Sequence, residues 1–217
     1  MAKKFDVNLL PPAPDFSFEA DLWAKGIRWI AGIDEAGRGA LAGPVAASAL
    51  VFPSDENLID ELRGVHDSKQ LTLAQRDMWA DRISGIAITY AVAFASPVEI
   101  DEFGIVPATQ LAMMRAINLL NVEPEYLLID YLKLPNCDIP QMQLVKGDAR
   151  SLSIASASIL AKTVRDKYMC YLDTIYPAYG FAINKGYGTF MHRDALSRVG
   201  CCSFHRKTFK GVLEKQT

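Results

Sequence analysis

The sequence predicts an α/β fold, a mixed sheet with helices packed on it, followed by a helical, basic C-terminal part. Three observations predict it. Two β-rich runs, "RWIAGID" (28–34) and "GPVAASALVF" (43–52), are joined by a glycine loop, and a third, "ISGIAITYAVAFAS" (83–96), follows. Helical and strand periods then alternate, the order that layers helices on a sheet. Half of the 217 residues are hydrophobic and 22% are charged, so the chain can bury one substantial core, and the composition is neither disordered nor fibrous.

In chain order, the opening "MAKKFDVNLLPPAPDF" (1–16) has two lysines but then Asp6 and three prolines where a secretory signal would carry its apolar stretch. Residues 1–27 are expected as an N-terminal arm, loosely held at its proline-rich opening "LLPPAPDF" (9–16), on a cytoplasmic, monomeric protein. The first two strands carry small residues that let neighbouring elements approach closely. Thr72 and Gln75 in "LTLAQRDMWADRI" (71–83) have the spacing of a capping box and open a helix. "PATQLAMMRAINLL" (107–120) is the next helix, with Pro107 tolerated in its first turn. "EYLLID" (125–130) and "QMQLV" (141–145) are short strands, the first ending on an acid and the second just before Lys146-Gly147-Asp148. "SLSIASASILAKTVRDKYMCYL" (151–172) repeats small or apolar residues at Ile154, Ala157, Ala161, Val164 and Tyr168, a helical period with one buried face. A single domain over 1–217 is expected, ending in a basic segment over 181–217.

Several classes of function are disfavoured. No run without charge, Gly39 to Ser54 being as long as any, reaches the roughly 18–20 residues of a spanning helix, and that one contains Gly43, Pro44 and Pro53, so no membrane span is expected. Cys137, Cys170, Cys201 and Cys202 form no CxxC pair and are expected as free thiols. The net charge of -2 hides an asymmetry: residues 181–217 hold seven cations and two acids, a surplus of five, which leaves -7 for the rest. A cationic segment on an acidic chain suits a polyanionic partner.

The acids fall where an α/β fold places chemistry. Asp34 ends the first strand, Asp130 ends a later one, and Asp148 lies just beyond a third. If these strands are neighbours, Asp34, Glu35, Asp130 and Asp148 converge. Clustered carboxylates repel unless cations neutralise them, and an oxygen-only set suits Mg²⁺ or Mn²⁺. Two such ions about 4 Å apart would activate a water and stabilise the leaving oxygen of a phosphodiester. Taken singly, each acid has an ordinary explanation: Asp-Glu pairs arise by chance, Asp130 could cap a helix and Asp148 could hold a turn. "GRGALAG" (37–43) also has the glycine spacing of a dinucleotide-binding loop. That reading requires a helix to begin at the loop, whereas Pro44 and a β-rich run follow, and the acids would face the pyrophosphate.

The combination of "GIDEAGRGALAGP" (32–44), "DSKQL" (67–71), the acid ending "LLID", "KGDARSLSIASASILAKTVRD" (146–166) and "NKGYGT" (184–189) closely resembles bacterial ribonuclease HII, collinearly from about Trp29 to Phe209. The resemblance implies a ribonuclease H-like fold with a mixed five-stranded sheet. It implies cleavage of the RNA strand of RNA–DNA hybrids and incision on the 5′ side of a ribonucleotide embedded in duplex DNA. Its metal ligands fall on Asp34, Glu35, Asp130 and Asp148. Gly37, Arg38 and Gly39 match the motif that reads the 2′-hydroxyl and adjacent backbone. Tyr187 matches the tyrosine that packs on the following deoxyribose. Lys69, Lys146, Lys162 and Arg165 are expected phosphate contacts, while His66, His192 and His205 are assigned no role. The chain departs from the pattern at Gln70, where many members carry lysine, and at Tyr131, where glycine often follows the third acid. Two alternatives remain at this stage. A ribonuclease HIII-like nuclease would carry an extra N-terminal domain, for which about 28 residues before the first strand leave little room. A non-catalytic hybrid-binding protein would need the basic tail but none of the acids.

Overall fold

The computed structural model describes residues 10–66, 68 and 71–213. Helix α1 (Ser17–Trp23) leads into strand β1 (Ile30–Ala36), which is followed by β2 (Val45–Val51), α2 (Leu58–Glu61), α3 (Leu73–Ile86) and β3 (Thr89–Ala95). Then come α4 (Pro97–Phe103), α5 (Ile105–Asn118), β4 (Tyr126–Asp130), β5 (Gln141–Leu144), α6 (Leu152–Ile175), α7 (Phe181–Asn184) and α8 (Phe190–Val199). The five strands form one sheet in the order β3-β2-β1-β4-β5. Neighbours β2 and β3 run antiparallel to each other and β2 antiparallel to β1, whereas β1, β4 and β5 are parallel. The sheet is therefore mixed, as the sequence predicts.

Small residues decide how the helices sit. On one face, Ala31, Ile33, Val45, Ala47, Ala49 and Val51 pack against Ala108, Ala112, Met113 and Ala116 of α5. On the other, α6 lies so close to β1 that a Cβ on Gly32 would stand 2.3 Å from the Ser153 carbonyl carbon. Helix α3 closes that side through Trp79, Ala80 and Ile83, with Leu50, Phe52 and α6. A further cluster joins Leu41 and Ala42 to Met169, Leu172, Phe181, Leu196 and Val212, so the C-terminal segment packs on the outer half of α6.

The structure corrects three expectations. The third strand begins only at Thr89, because Ile83–Ile86 completes α3, whose Thr72–Gln75 capping box is present. Helix α4 was not anticipated, although Ser96 and Glu99 form a second capping box that spans Pro97. The proline-rich opening is not loose to its end: Asp15 bridges to Ser151 and Phe16 is buried, and α1 behind them is docked, with Glu19 fully buried and its Oε1 accepting from Ser151 Oγ at 2.6 Å and from Ser153 N at 3.1 Å.

Candidate active site

Parallel register brings the acids together. Ile33 of β1 lies opposite Ile129 of β4, so Asp34 and Asp130 follow side by side, and Asp130 in turn lies opposite Leu144 of β5. Beyond Leu144 the chain turns at Lys146, which takes a left-handed conformation (φ 54), into a short 3-10 turn, Gly147–Ala149, that carries Asp148. The Gly147 N–H donates to Asp130 Oδ1 at 2.7 Å, fastening that turn to the end of β4. Three strand ends thus deliver three acids to one edge of the sheet, and Glu35 stands next to the first.

The electrostatics of Asp34 reflect its neighbours. Asp34 is buried, and its carboxyl is held well above the ordinary range, first by that burial and then by the charges of Glu35, Asp130 and Asp148; a hydrogen bond from Ser158 opposes the shift. Ser158 Oγ also lies 3.0 Å from Ser68 Oγ. With one proton each, Ser68 can donate to Ser158 while Ser158 donates to Asp34. Both serines are buried, so Ser68 is tied to Asp34 through α6. Sequence reasoning missed Ser158: within "SIASASIL" it looks like one more small residue, and only its facing of β1 singles it out.

The glycine loop is held from behind. Gly37 has φ 90, and a Cβ there would fall 1.9 Å from Arg165 Nε, so both conformation and space require glycine. Gly39 faces open space, with nothing within 4 Å of a built Cβ. Arg38 Nη1 pairs with Glu35 Oε1 at 3.0 Å, linking loop to acid. Tyr187, about a third exposed, has the Lys162 ammonium 5.9 Å and the Arg165 guanidinium 5.6 Å from its ring centroid.

The four cations expected at phosphates differ in placement. Lys146 is exposed beside the acids. Lys162 is bound to Asp166 at 2.6 and 2.8 Å, and burial, its largest influence, lowers its pKa. Arg165 is fully buried and donates to the Pro44, Lys185 and Ala42 carbonyls, so it braces the loop and offers no exposed guanidinium to a phosphate. Lys69, like Gln70, lies outside the described residues. Tyr131, the other departure, keeps the left-handed backbone of a glycine site (φ 58) with its side chain largely exposed beside Asp130.

The donor set suits a hard divalent cation, since every candidate ligand is a carboxylate oxygen and the burial of Asp34 among like charges is relieved by positive charge. Among the described residues no three His, Cys, Asp or Glu side chains form a ready-made metal cage. Mg²⁺ does not require one, because it commonly binds through one or two carboxylates, waters and substrate phosphates.

A mixed five-stranded sheet with acids gathered at the carboxyl ends of its parallel strands and a glycine loop alongside defines a nuclease of the ribonuclease H-like class. The Ribonuclease HII family model matches residues 31–212, and the chain belongs to that family. It is a ribonuclease H enzyme, acting on RNA–DNA hybrids, which sets aside the purely hybrid-binding alternative. The ribonuclease HII of Desulfitobacterium hafniense (strain Y51) is 51% identical over 197 residues, 91% of this chain and 74% of the relative. That of Chloroflexus aurantiacus (strain ATCC 29364 / DSM 637 / Y-400-fl) is 48% identical over 202 residues, 93% of this chain and 95% of the relative. Among solved structures, ribonuclease H2 from Pyrococcus horikoshii OT3 superimposes with a TM-score of 0.70 at 28% identity, covering 84% of this chain and 94% of that one. A Bst-RNase HIII solved with Mn²⁺ has a TM-score of 0.65 at 20% identity over 85% of this chain and 68% of that one, a likeness of fold.

Proposed function

We propose that this ribonuclease H hydrolyses the phosphodiester on the 5′ side of a ribonucleotide, including a single one embedded in duplex DNA, leaving a 3′-hydroxyl and a 5′-phosphate. The observation that carries the reading is the burial of Asp34 against Glu35, Asp130 and Asp148 at one sheet edge. Asp34, Glu35, Asp130 and Asp148 hold two Mg²⁺ or Mn²⁺ ions, which supply Lewis-acid activation of water and charge stabilisation at the phosphate. Ser158 orients the Asp34 carboxylate, and the Gly147 N–H fixes Asp130. Gly37, Arg38 and Gly39 read the 2′-hydroxyl and adjacent backbone; the open space at Gly39 supports this, because a sugar can reach the main chain there. Tyr187 packs on the next deoxyribose, Lys146 meets a phosphate, and Lys162 sits between Tyr187 and Asp166. The protein works as a cytoplasmic monomer; among the described residues no helix is long and apolar enough to cross a membrane.

The test is incubation of the purified protein with duplex DNA carrying one ribonucleotide, with and without Mg²⁺. Cleavage 5′ of the ribonucleotide only with metal, and none of an all-DNA duplex, is expected. Asp34→Asn, which keeps size and removes charge, should abolish turnover while leaving the fold intact. Retention of more than about a tenth of wild-type rate, only about 1.4 kcal/mol of barrier, would sink the metal-site assignment.

A further inference from the structure

Two guanidiniums lie fully buried behind the glycine loop, and every hydrogen bond described for either ends on a backbone carbonyl. Arg206, from the C-terminal segment, donates Nε to Gly43 O at 3.0 Å, Nη1 to Arg38 O at 2.7 Å and Nη2 to Gly37 O at 2.8 Å. Arg165, from α6, donates Nε to Pro44 O at 2.9 Å, Nη2 to Ala42 O at 3.2 Å and Nη1 to Lys185 O at 3.0 Å. Together they grip five carbonyls between Gly37 and Pro44 and one just ahead of Tyr187. The main chain repeats the linkage. Leu41 N and Ala42 N donate to Gly186 O, Gly43 N donates to Phe204 O, and Arg206 N donates to Leu41 O. A Cβ on Gly186 would stand 2.3 Å from Ala42 O, so the two segments touch backbone to backbone.

Burying charge without a carboxylate is costly, and each guanidinium is satisfied only as long as its carbonyls stay in place. Lysine cannot replace such a fork, because an ammonium lacks the planar set of donors that three separate carbonyls require. The geometry points to Arg206 as a positioning residue for substrate selection: through its fork the C-terminal segment fixes the Gly37–Gly39 main chain relative to Tyr187, so that the 2′-hydroxyl and the following sugar are read by one rigid body. This rests on the proposed reading of the loop. Burial, then the neighbouring Arg165, pushes the Arg206 pKa down to about 9, which still leaves it charged at neutral pH.

The experiment compares wild type with Arg206→Lys on a DNA duplex containing one ribonucleotide and on the same duplex with a 2′-fluoro nucleotide there, in Mg²⁺ and well below each protein's melting temperature. Wild type should prefer the hydroxyl by about 100-fold or more, since a site built to hydrogen-bond a group rejects its analogue strongly. Arg206→Lys should lose about 10-fold of that preference, mainly through kcat on the hydroxyl substrate, because a loosened loop no longer presents its donors in place. A merely stabilising arginine would lower the melting temperature and leave the ratio unchanged, and that result overturns the inference. A wild type that does not discriminate overturns the loop reading instead. If Arg206→Lys does not fold, hydrogen exchange on wild type decides. Amides of Leu41, Ala42 and Gly43 should open together with those of Gly186, His205 and Arg206 at one common free energy, and separate opening of the loop refutes a single body.

Discussion

At the scale of single residues, the site and its surroundings depend on hydrogen bonds whose direction is fixed. Cys202 N donates to His205 Nδ1 at 3.0 Å, so the His205 proton is on Nε2, and it is given to His192 Nε2 at 3.0 Å; His192 Nδ1–H then donates to Tyr187 O at 2.9 Å. The chain works only with both rings neutral. Burial, and after it His192, pushes His205 down to about 4, and burial chiefly lowers His192 as well. Because the folded values lie below the unfolded value of about 6.5, the pair's contribution to stability is complete above that pH and is lost as pH falls towards 4. The melting temperature of wild type should therefore drop from pH 7 to pH 4.5 more steeply than that of His205→Gln, in which carboxylate titrations are shared and cancel. Parallel calorimetric curves for the two proteins would contradict this account.

Tyr131 offers a second test at the same scale. A left-handed backbone costs a residue with a Cβ about 1–2 kcal/mol, while glycine adds roughly 0.5–1 kcal/mol of unfolded-state freedom. The side chain is 63% exposed and has little packing to lose. Tyr131→Gly should accordingly leave stability unchanged or slightly higher in urea unfolding, unlike most large-to-glycine substitutions. A loss of more than about 1.5 kcal/mol would show that the ring packs against something that holds the turn. The glycine expected from the family pattern was legible in the sequence; the strain that tyrosine tolerates there was not, because φ belongs to the folded chain.

At the scale of elements, local signals were legible and long-range ones were not. The Thr72–Gln75 cap is written in four consecutive residues and it opened α3 as expected. Ser96 and Glu99 have the same spacing, but a preceding β-rich run masked it, and the apolar "ISGI" ahead of β3 fits either period until its packing on α6 decides. The four acids were placed by strand ends, whereas their adjacency came only from the parallel register of β1, β4 and β5. Glu19 had no local signal, since its partner Ser151 is 132 residues away. That carboxylate sits at the N-terminus of α6, where negative charge is favoured, and α6 begins four residues after Asp148. Glu19→Ala strands a buried hydroxyl and an amide and should cost about 2–3 kcal/mol in denaturant unfolding. A cost below about 0.5 kcal/mol would mean that the arm is not held by this contact.

At the scale of the whole molecule, the charge asymmetry visible in the sequence is redistributed by folding. Arg206 belongs to the basic C-terminal segment, yet it lies inside the protein and contributes a buried fork, not a surface charge. The segment is also no detachable tail, because Phe181, Leu196 and Val212 share a core with Met169 and Leu172 of α6. Its part in holding a duplex must therefore be tested by surface charge and not by truncation. Arg198, Lys207 and Lys210 are exposed, and replacing all three by glutamine removes positive charge without touching the core. Each phosphate contact contributes about 0.9 to the slope of log affinity against log salt for duplex DNA. If all three cations meet phosphates, binding of a ribonucleotide-containing duplex to catalytically silent Asp34→Asn should lose about 2–3 from that slope, with little change near-saturation at low salt. The same triple change in the active enzyme should raise KM with salt and leave kcat almost unaltered, because all three are surface charges outside the proposed set of metal ligands. An unchanged slope would place the duplex against other cations, such as the exposed Lys146, and would leave the surplus of positive charge at the C-terminus without a part in substrate capture.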